Sequence, residues 1–194
     1  MPVKIISSGG GSVTLSANTT ASNYTLNLPA ASGNIITSAD SNTVTQAMLS
    51  SGLAGTGPAF SAKLTSSQSV TSGVYTKVTL GIENFDTNSN FDNVTNYRFT
   101  PTVAGYYQFN ASLYQASSGS ANYVWPIIYK NGAAGIYGTS AGAASGVDGV
   151  STVAGLLYMN GSTDYVELYC YVTGTSPSID TTITVFSGFL ARTA

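Results

Sequence analysis

Few residues in this chain could do acid–base or metal chemistry, and their spacing narrows the choice further. There is no histidine, which removes the commonest general base and metal ligand. The eight acids, among them Asp148, Asp164, Glu167 and Asp180, are mostly isolated, and a carboxylate pair fit for glycoside hydrolysis could arise only by folding. The densest group is Asp86, Asn88, Asn90 and Asp92, hard oxygen ligands at alternate positions of the kind calcium prefers. Asp86 and Asp92 are its charged members. The stretch lacks the bidentate glutamate of an EF-hand loop, and Asn and Asp are also the ordinary residues of turns. The turn reading is preferred, with calcium as the one metal these residues would suit and no other cofactor expected.

Gly138-Thr139-Ser140-Ala141-Gly142 matches the Gly-x-Ser-x-Gly pattern of a nucleophile elbow. That elbow needs a strand before it and a helix after it. Here the match lies in a run of Gly, Ala and Ser, and without histidine no standard triad could activate Ser140. The single cysteine, Cys170, sits in the strand-like run VELYCYV and has no partner for an internal disulfide; a buried, inert thiol is expected. No catalytic residue is expected, and the chain is read as a non-enzyme.

Binding is the better-supported chemistry. The chain has 13 tyrosines and one tryptophan, side chains that give rigid contact area with a polar tip. Tyr107 and Tyr158 fall in strand patterns and are expected in the core. Tyr114, Tyr123, Trp125 and Tyr137 are the candidates for a subunit contact or an apical surface. Trp125-Pro126 within a strand pattern predicts an edge or a bulge there.

The elements that must carry these residues are strands. Only 7% of the chain is charged, against roughly 25% in ordinary soluble proteins. The six basic residues are scattered and the net charge is −2, which argues against nucleic acid as a partner. The first thirteen residues lack the apolar stretch of a secretory signal, and no run approaches the length of a membrane span. A 43% hydrophobic chain with so little charge suits a protein covered by neighbours in an assembly.

Residues 1–57 differ in texture from the rest. VTLSA (13–17) and YTLNLPA (24–30) read as short strands, 38–52 could hold a short helix, and Gly52, Gly55, Gly57 and Pro58 read as a linker. From residue 58 on, short strands follow one another closely: AFSAKL, GVYTKVTLGI, YRFTP, GYYQFNASLY, YVWPIIYKN, STVAGLLYM, YVELYCYVT and ITVFSGFLAR. Asn131-Gly132 and Asn160-Gly161 signal tight turns, and residues 132–149 read as a long surface loop. In FDNVTNYRFTPTVAGYYQF (91–109), Tyr97, Phe99, Tyr107 and Phe109 alternate with polar residues, which places them on one face of a half-buried sheet. Pro101 and Gly105 break that run into two strands.

These pieces, in this order, resemble the globular head of complement subcomponent C-one-q, a jelly roll shared with the tumour necrosis factor ligands. Pro58-Ala59-Phe60-Ser61-Ala62 resembles the opening strand of that family. Asn90-Phe91-Asp92, Tyr97-Arg98-Phe99-Thr100-Pro101 and Ala104-Gly105-Tyr106-Tyr107-Gln108-Phe109 resemble its central signature, and Lys130-Asn131-Gly132 its mid-chain hairpin. Gly155–Met159, Gly161–Leu168 and Phe186–Leu190 resemble its closing strands, so the likeness spans about residues 58–192. It implies an all-β jelly-roll sandwich of about ten strands that assembles as a trimer and binds by its exposed apex rather than catalysing a reaction. Where the family has a Gly-X-Y stalk, residues 11–39 instead resemble short β modules found ahead of such heads in bacteriophage virion proteins.

The expectation is therefore a homotrimeric phage structural protein at the virion surface, a capsid decoration or head fibre. Residues 1–57 would attach to the major capsid protein or another virion protein, and residues 58–194 would form the knob. The alternatives are a tail-fibre tip that recognises host surface carbohydrate, a depolymerase with a carboxylate site between subunits, and a free carbohydrate-binding module. Neither nucleic acid nor membrane is an expected partner.

Overall fold

The computed structural model describes residues 3–6, 9, 12–15, 57–115, 121–140, 142 and 148–194. The chain divides into two compact units, Met1–Thr43 and Val44–Ala194. In the first, β1 (Val3–Ile6) and β2 (Ser12–Leu15) pair antiparallel, with Ile6 opposite Ser12 and Val3 opposite Leu15. The expected strand at 24–30, the short helix at 38–52 and the linker up to residue 56 lie outside the described residues.

The second unit is all β. Its strands are β3 (Ala59–Lys63), β4 (Gln68–Ser69), β5 (Tyr75–Lys77), β6 (Ile82–Asp86), β7 (Phe91–Asp92), β8 (Arg98–Phe99) and β9 (Gly105–Gln115). They continue with β10 (Ala121–Lys130), β11 (Ala133–Tyr137), β12 (Gly149–Met159), β13 (Val166–Gly174), β14 (Ser178–Ile179) and β15 (Val185–Thr193). Five form one sheet in the order β12-β9-β15-β3-β6; a second runs β11-β10-β13-β8-β7, with β5 also on β13; β14 pairs with β4. Two antiparallel sheets joined by crossing connections are a jelly-roll sandwich, as expected.

One aromatic core cements the sheets. Phe60 of β3 stacks on Phe99 of β8 with ring centroids 4.3 Å apart, and Phe186 of β15 meets it edge-on at 5.1 Å. Phe91, Tyr107 and Phe109 complete the cluster, and Phe60, Phe99, Tyr107, Phe109 and Phe186 are all wholly buried. Burial along β9 alternates without a slip from Gly105 to Gln115, the period-two signature of a strand with one face inward. β15 passes close to these rings at Gly188, where a Cβ would lie 2.5 Å from Phe109 Cδ1 and 2.9 Å from Phe60 Cε1.

The signature stretch departs from expectation in one respect. Residues 100–104 carry the chain from β8 in one sheet to β9 in the other, so Phe99 faces Tyr107 and Phe109 across the core instead of sharing their sheet face. Tyr97 is not among the core aromatics. It has φ 51° just after the turn at 93–96 and is only half-buried, because the turn interrupts the period-two alternation.

Other boundaries moved too. GVYTKVTLGI is two strands, β5 and β6, separated at 78–81, where the chain leaves one sheet for the other. The expected loop at 132–149 opens with a strand, β11, since Asn131 (φ 53°) and Gly132 (φ 78°) make a two-residue hairpin turn that returns it along β10. Pro126 sits in β10 between two neighbours rather than on an edge. Its carbonyl accepts the Gly138 N–H at 2.9 Å, just past the end of β11. The N and O of a strand residue point the same way, so the missing N–H faces that fading ladder and not β13.

Candidate functional site

The oxygen-rich segment 86–92 is organised as turns. Asp86 accepts the Phe91 N–H at 2.7 Å through Oδ2 and the Asn88 N–H at 3.3 Å through Oδ1. Asn90 is buried and ties down the crossover, its backbone carbonyl accepting the Thr100 N–H at 2.8 Å and its Oδ1 the Thr102 N–H at 3.3 Å. Asp92 accepts N–H groups from Val94, Thr95 and Asn96 at 2.9–3.1 Å, and the Asn96 amide at 2.7 Å. Both carboxylates thus serve backbone amides in turns. Among the described residues, no three His, Cys, Asp or Glu side chains gather as metal ligands would.

These amides shift the Asp92 carboxyl from 3.8 to about 2. The Thr95 N–H does most; partial burial opposes it, while Val94 and Asn96 add to the lowering. A depressed folded-state value means that the stabilisation is complete above about pH 4 and fades as pH falls toward about 2. Thermal melts across that window should show the wild-type protein losing more stability than Asp92→Asn. Parallel curves would show that the carboxylate contributes nothing beyond its amide equivalent.

Three further acids are also engaged. Glu167 lies 2.5 Å from Lys77 Nζ and Asp164 2.9 Å from Lys130 Nζ, while Asp180 accepts the Ser67 hydroxyl at 2.6 Å. Ser140 follows β11 in irregular backbone, and the described residues around it, 138–140 and 142, form no helix of the kind a nucleophile elbow requires. Cys170 is fully buried, and burial pushes its thiol up to about 12, so it is held as the unreactive thiol.

The four candidate contact residues divide between two opposite outer faces. Tyr114 lies on the outward side of β9 in the five-stranded sheet, where its hydroxyl donates to Asp148 Oδ2 at 2.7 Å. That hydrogen bond, before partial burial, raises the phenol above its ordinary value. Around it, the outward residues of β12, β9 and β15 stand in rows set by the register. Tyr158 is opposite Tyr106, and Leu156 is opposite Gln108, which is opposite Phe189. Tyr158 therefore lies outside the core that the sequence pattern predicted for it, 43% exposed with its ring 5.6 Å from that of Tyr106. Leu156 (58%), Phe189 (48%) and Tyr106 (48%) are equally open. The next rows carry small side chains, Asn110, Ser112, Thr152, Ala154 and Ser187, which floor a trough of about 340 Å³.

Tyr123, Trp125 and Tyr137 lie on the outer face of the other sheet. The Trp125 ring packs 5.3 Å from Tyr137 and edge-on to Tyr171 at 6.5 Å, and Tyr171 lies 5.0 Å from Tyr75. Below them Ile127 is wholly buried although it belongs to the outward set of β10, with Tyr169 and Tyr137 as its register partners. Tyr123, Trp125, Ser140, Tyr171 and Thr173 line a groove of about 540 Å³. Tyr75 and Tyr171 were not singled out from the sequence; the β10–β13 pairing sets Tyr171 opposite Trp125, and the β5–β13 pairing adds Tyr75.

No family model and no curated protein sequence matches the chain. Solved structures do resemble it. The globular domain of zebrafish complement 1qA protein matches with a TM-score of 0.51 at 17% identity, covering 71% of this chain and 99% of its own. Murine APRIL at pH 5.0 matches with a TM-score of 0.53 at 9% identity, covering 69% of this chain and 98% of its own. Eiger TNF from S. frugiperda gives 0.51 at 8% identity, covering 71% and 92%. At such identities the likeness is one of fold, and the fold of the second unit is the jelly roll of the complement C-one-q and tumour necrosis factor heads.

Proposed function

We propose that this chain is a non-enzymatic structural protein that assembles as a homotrimer and stands on the surface of a bacteriophage virion. The carrying observation is the outer face of the five-stranded sheet. Leu156, Phe189, Tyr106 and Tyr158 stand uncovered beside a trough of small residues, a relief that a second copy can fill with apolar contacts. A chain with 7% charged residues has little else to keep such a face in solution. The resemblance of the second unit to a family of trimeric heads supports the same arrangement. The absence of histidine from the chain and the engagement of Asp86 and Asp92 by backbone amides support the non-enzymatic reading.

Residues 1–57 are assigned to attachment and residues 58–194 to the knob. The virion reading rests on the likeness of residues 11–39 to phage β modules, and a head decoration or head fibre needs only such a short anchor. Light scattering of the full chain should give a mass near three times 19.9 kDa. Cryo-electron microscopy of phage particles should find the knob on the head, and a chain lacking residues 1–57 should remain trimeric but leave particles bare. A monomer at micromolar concentration would end the assembly reading, and decoration by the truncated chain would end the anchor assignment.

A further inference from the structure

We propose that the groove lined by Tyr123, Trp125, Ser140, Tyr171 and Thr173 binds a neutral sugar ring of a polysaccharide. The groove is formed within one protomer, so the proposal stands apart from the assembly and the particle assignment.

Among the described residues the lining is three aromatic rings and two aliphatic hydroxyls, with no charged side chain. A pyranose presents the complementary surface: a C–H face that packs on an aromatic ring, and a rim of hydroxyls that both donate and accept. The volume of about 540 Å³ falls within the range of small-ligand sites, which are mostly aromatic with a few placed polar groups. Anionic glycans, phosphates and metal ions find no counter-charge in this lining.

The rings are held before any ligand arrives. Trp125 Nε1 donates to the Gly138 carbonyl at 2.8 Å, which fixes the indole plane, and Tyr137 and Tyr171 pack on it from two directions. Tyr75 in turn packs on Tyr171. A ligand therefore meets a platform whose ordering cost was met on folding.

Thr173 supplies the second observation. Its Oγ1 is buried and lacks a hydrogen-bond partner among the described residues, although the residue lines the groove. Such an atom is destabilising unless something satisfies it, and rotation of the Thr173 side chain to another staggered position would bring it to a sugar hydroxyl in the groove.

The opposite sheet sharpens the choice of occupant. Its exposed face carries Leu156 and Phe189 beside a trough of small residues, the relief expected of contact between protein copies. Among the described residues the groove's lining has no exposed aliphatic side chain, only rings and hydroxyls. The two faces differ in chemistry because they meet different partners.

Trp125 is the only tryptophan in the chain, so emission excited on the red edge of its absorption, where the 13 tyrosines do not absorb, reports on this groove alone. The full-length protein is titrated with cellohexaose, maltohexaose and chitohexaose, with a hyaluronan hexasaccharide as the anionic comparison. At least one neutral oligomer should give a saturable emission change. Tyr123→Ala and Thr173→Val should each weaken it by about tenfold or more. Thr173→Ser should restore it. Because Tyr123 is 54% exposed and Thr173 Oγ1 is unpartnered, neither change should lower the melting temperature. Absence of a saturable change with all three neutral oligomers up to about 10 mM overturns the proposal. So does binding that survives both substitutions, or tighter binding of hyaluronan. A trimer that binds none of them would sink the sugar site and leave the assembly intact.

Discussion

Replacing Phe60 with alanine should lower the melting temperature by roughly 10 °C or more, the largest effect of any single truncation in the knob. Phe60 belongs to the five-stranded sheet yet stacks at 4.3 Å on Phe99 of the other, and it touches the rings of Phe91, Phe109 and Phe186 as well. Its loss opens a void between the sheets that no neighbour can fill cheaply. β15 already lies against the rings at Gly188, and the flanking rings are fixed by strands in both sheets. Large-to-small changes of this kind cost about 3–5 kcal/mol, the transfer term plus the cavity. Phe109→Ala, in the same cluster, should fall in that range too. Phe60→Leu, which keeps much of the volume, should lose distinctly less. A Phe60→Ala protein that melts within about 2 °C of wild type would mean that the sheets do not meet through this ring.

The second large effect is on assembly rather than folding. Leu156→Asp combined with Phe189→Asp should convert the proposed trimer to a folded monomer. Both side chains are about half exposed in the protomer and stand in register rows across β12, β9 and β15, so the protomer itself loses little. In an interface each new carboxylate would be stripped of water with no partner, at a cost of several kcal/mol. Two such penalties weaken association by about a thousandfold or more. Light scattering should fall to the protomer mass while the far-ultraviolet circular dichroism stays that of a β protein. A double variant that remains trimeric at micromolar concentration would place the contact on another face. Loss of β signal together with mass would show instead that these residues support the fold, and Leu156→Gln with Phe189→Gln would then separate the two roles.

The sequence by itself determined the fold class and the strand composition. Period-two alternation from Gly105 to Tyr114 and in the closing strands is a local property of the chain, because successive side chains in a strand must point to opposite sides. The Asn131-Gly132 hairpin was legible for a similar reason: both residues tolerate the left-handed backbone that the turn demands. The sealed thiol of Cys170 followed from its place in an apolar run. Alternation shows that a strand has two faces but not which one is inward when both carry aromatics. Tyr106 and Tyr107 are neighbours of the same residue type, and only the packing of the second sheet buried one and left the other open. The same ambiguity misplaced Tyr158. Small-residue composition concealed β11, whose strand is specified by its hairpin with β10 rather than by its own side chains. Tyr114, Tyr123, Trp125 and Tyr137 are exposed or half-exposed, yet nothing local could divide them between two faces or join Tyr171 and Thr173 to Trp125. Those groupings come from the pairing of β10 with β13 and of β9 with β12 and β15. Residues tens of positions apart share a face only once the register is set, and register is a property of the folded sheets.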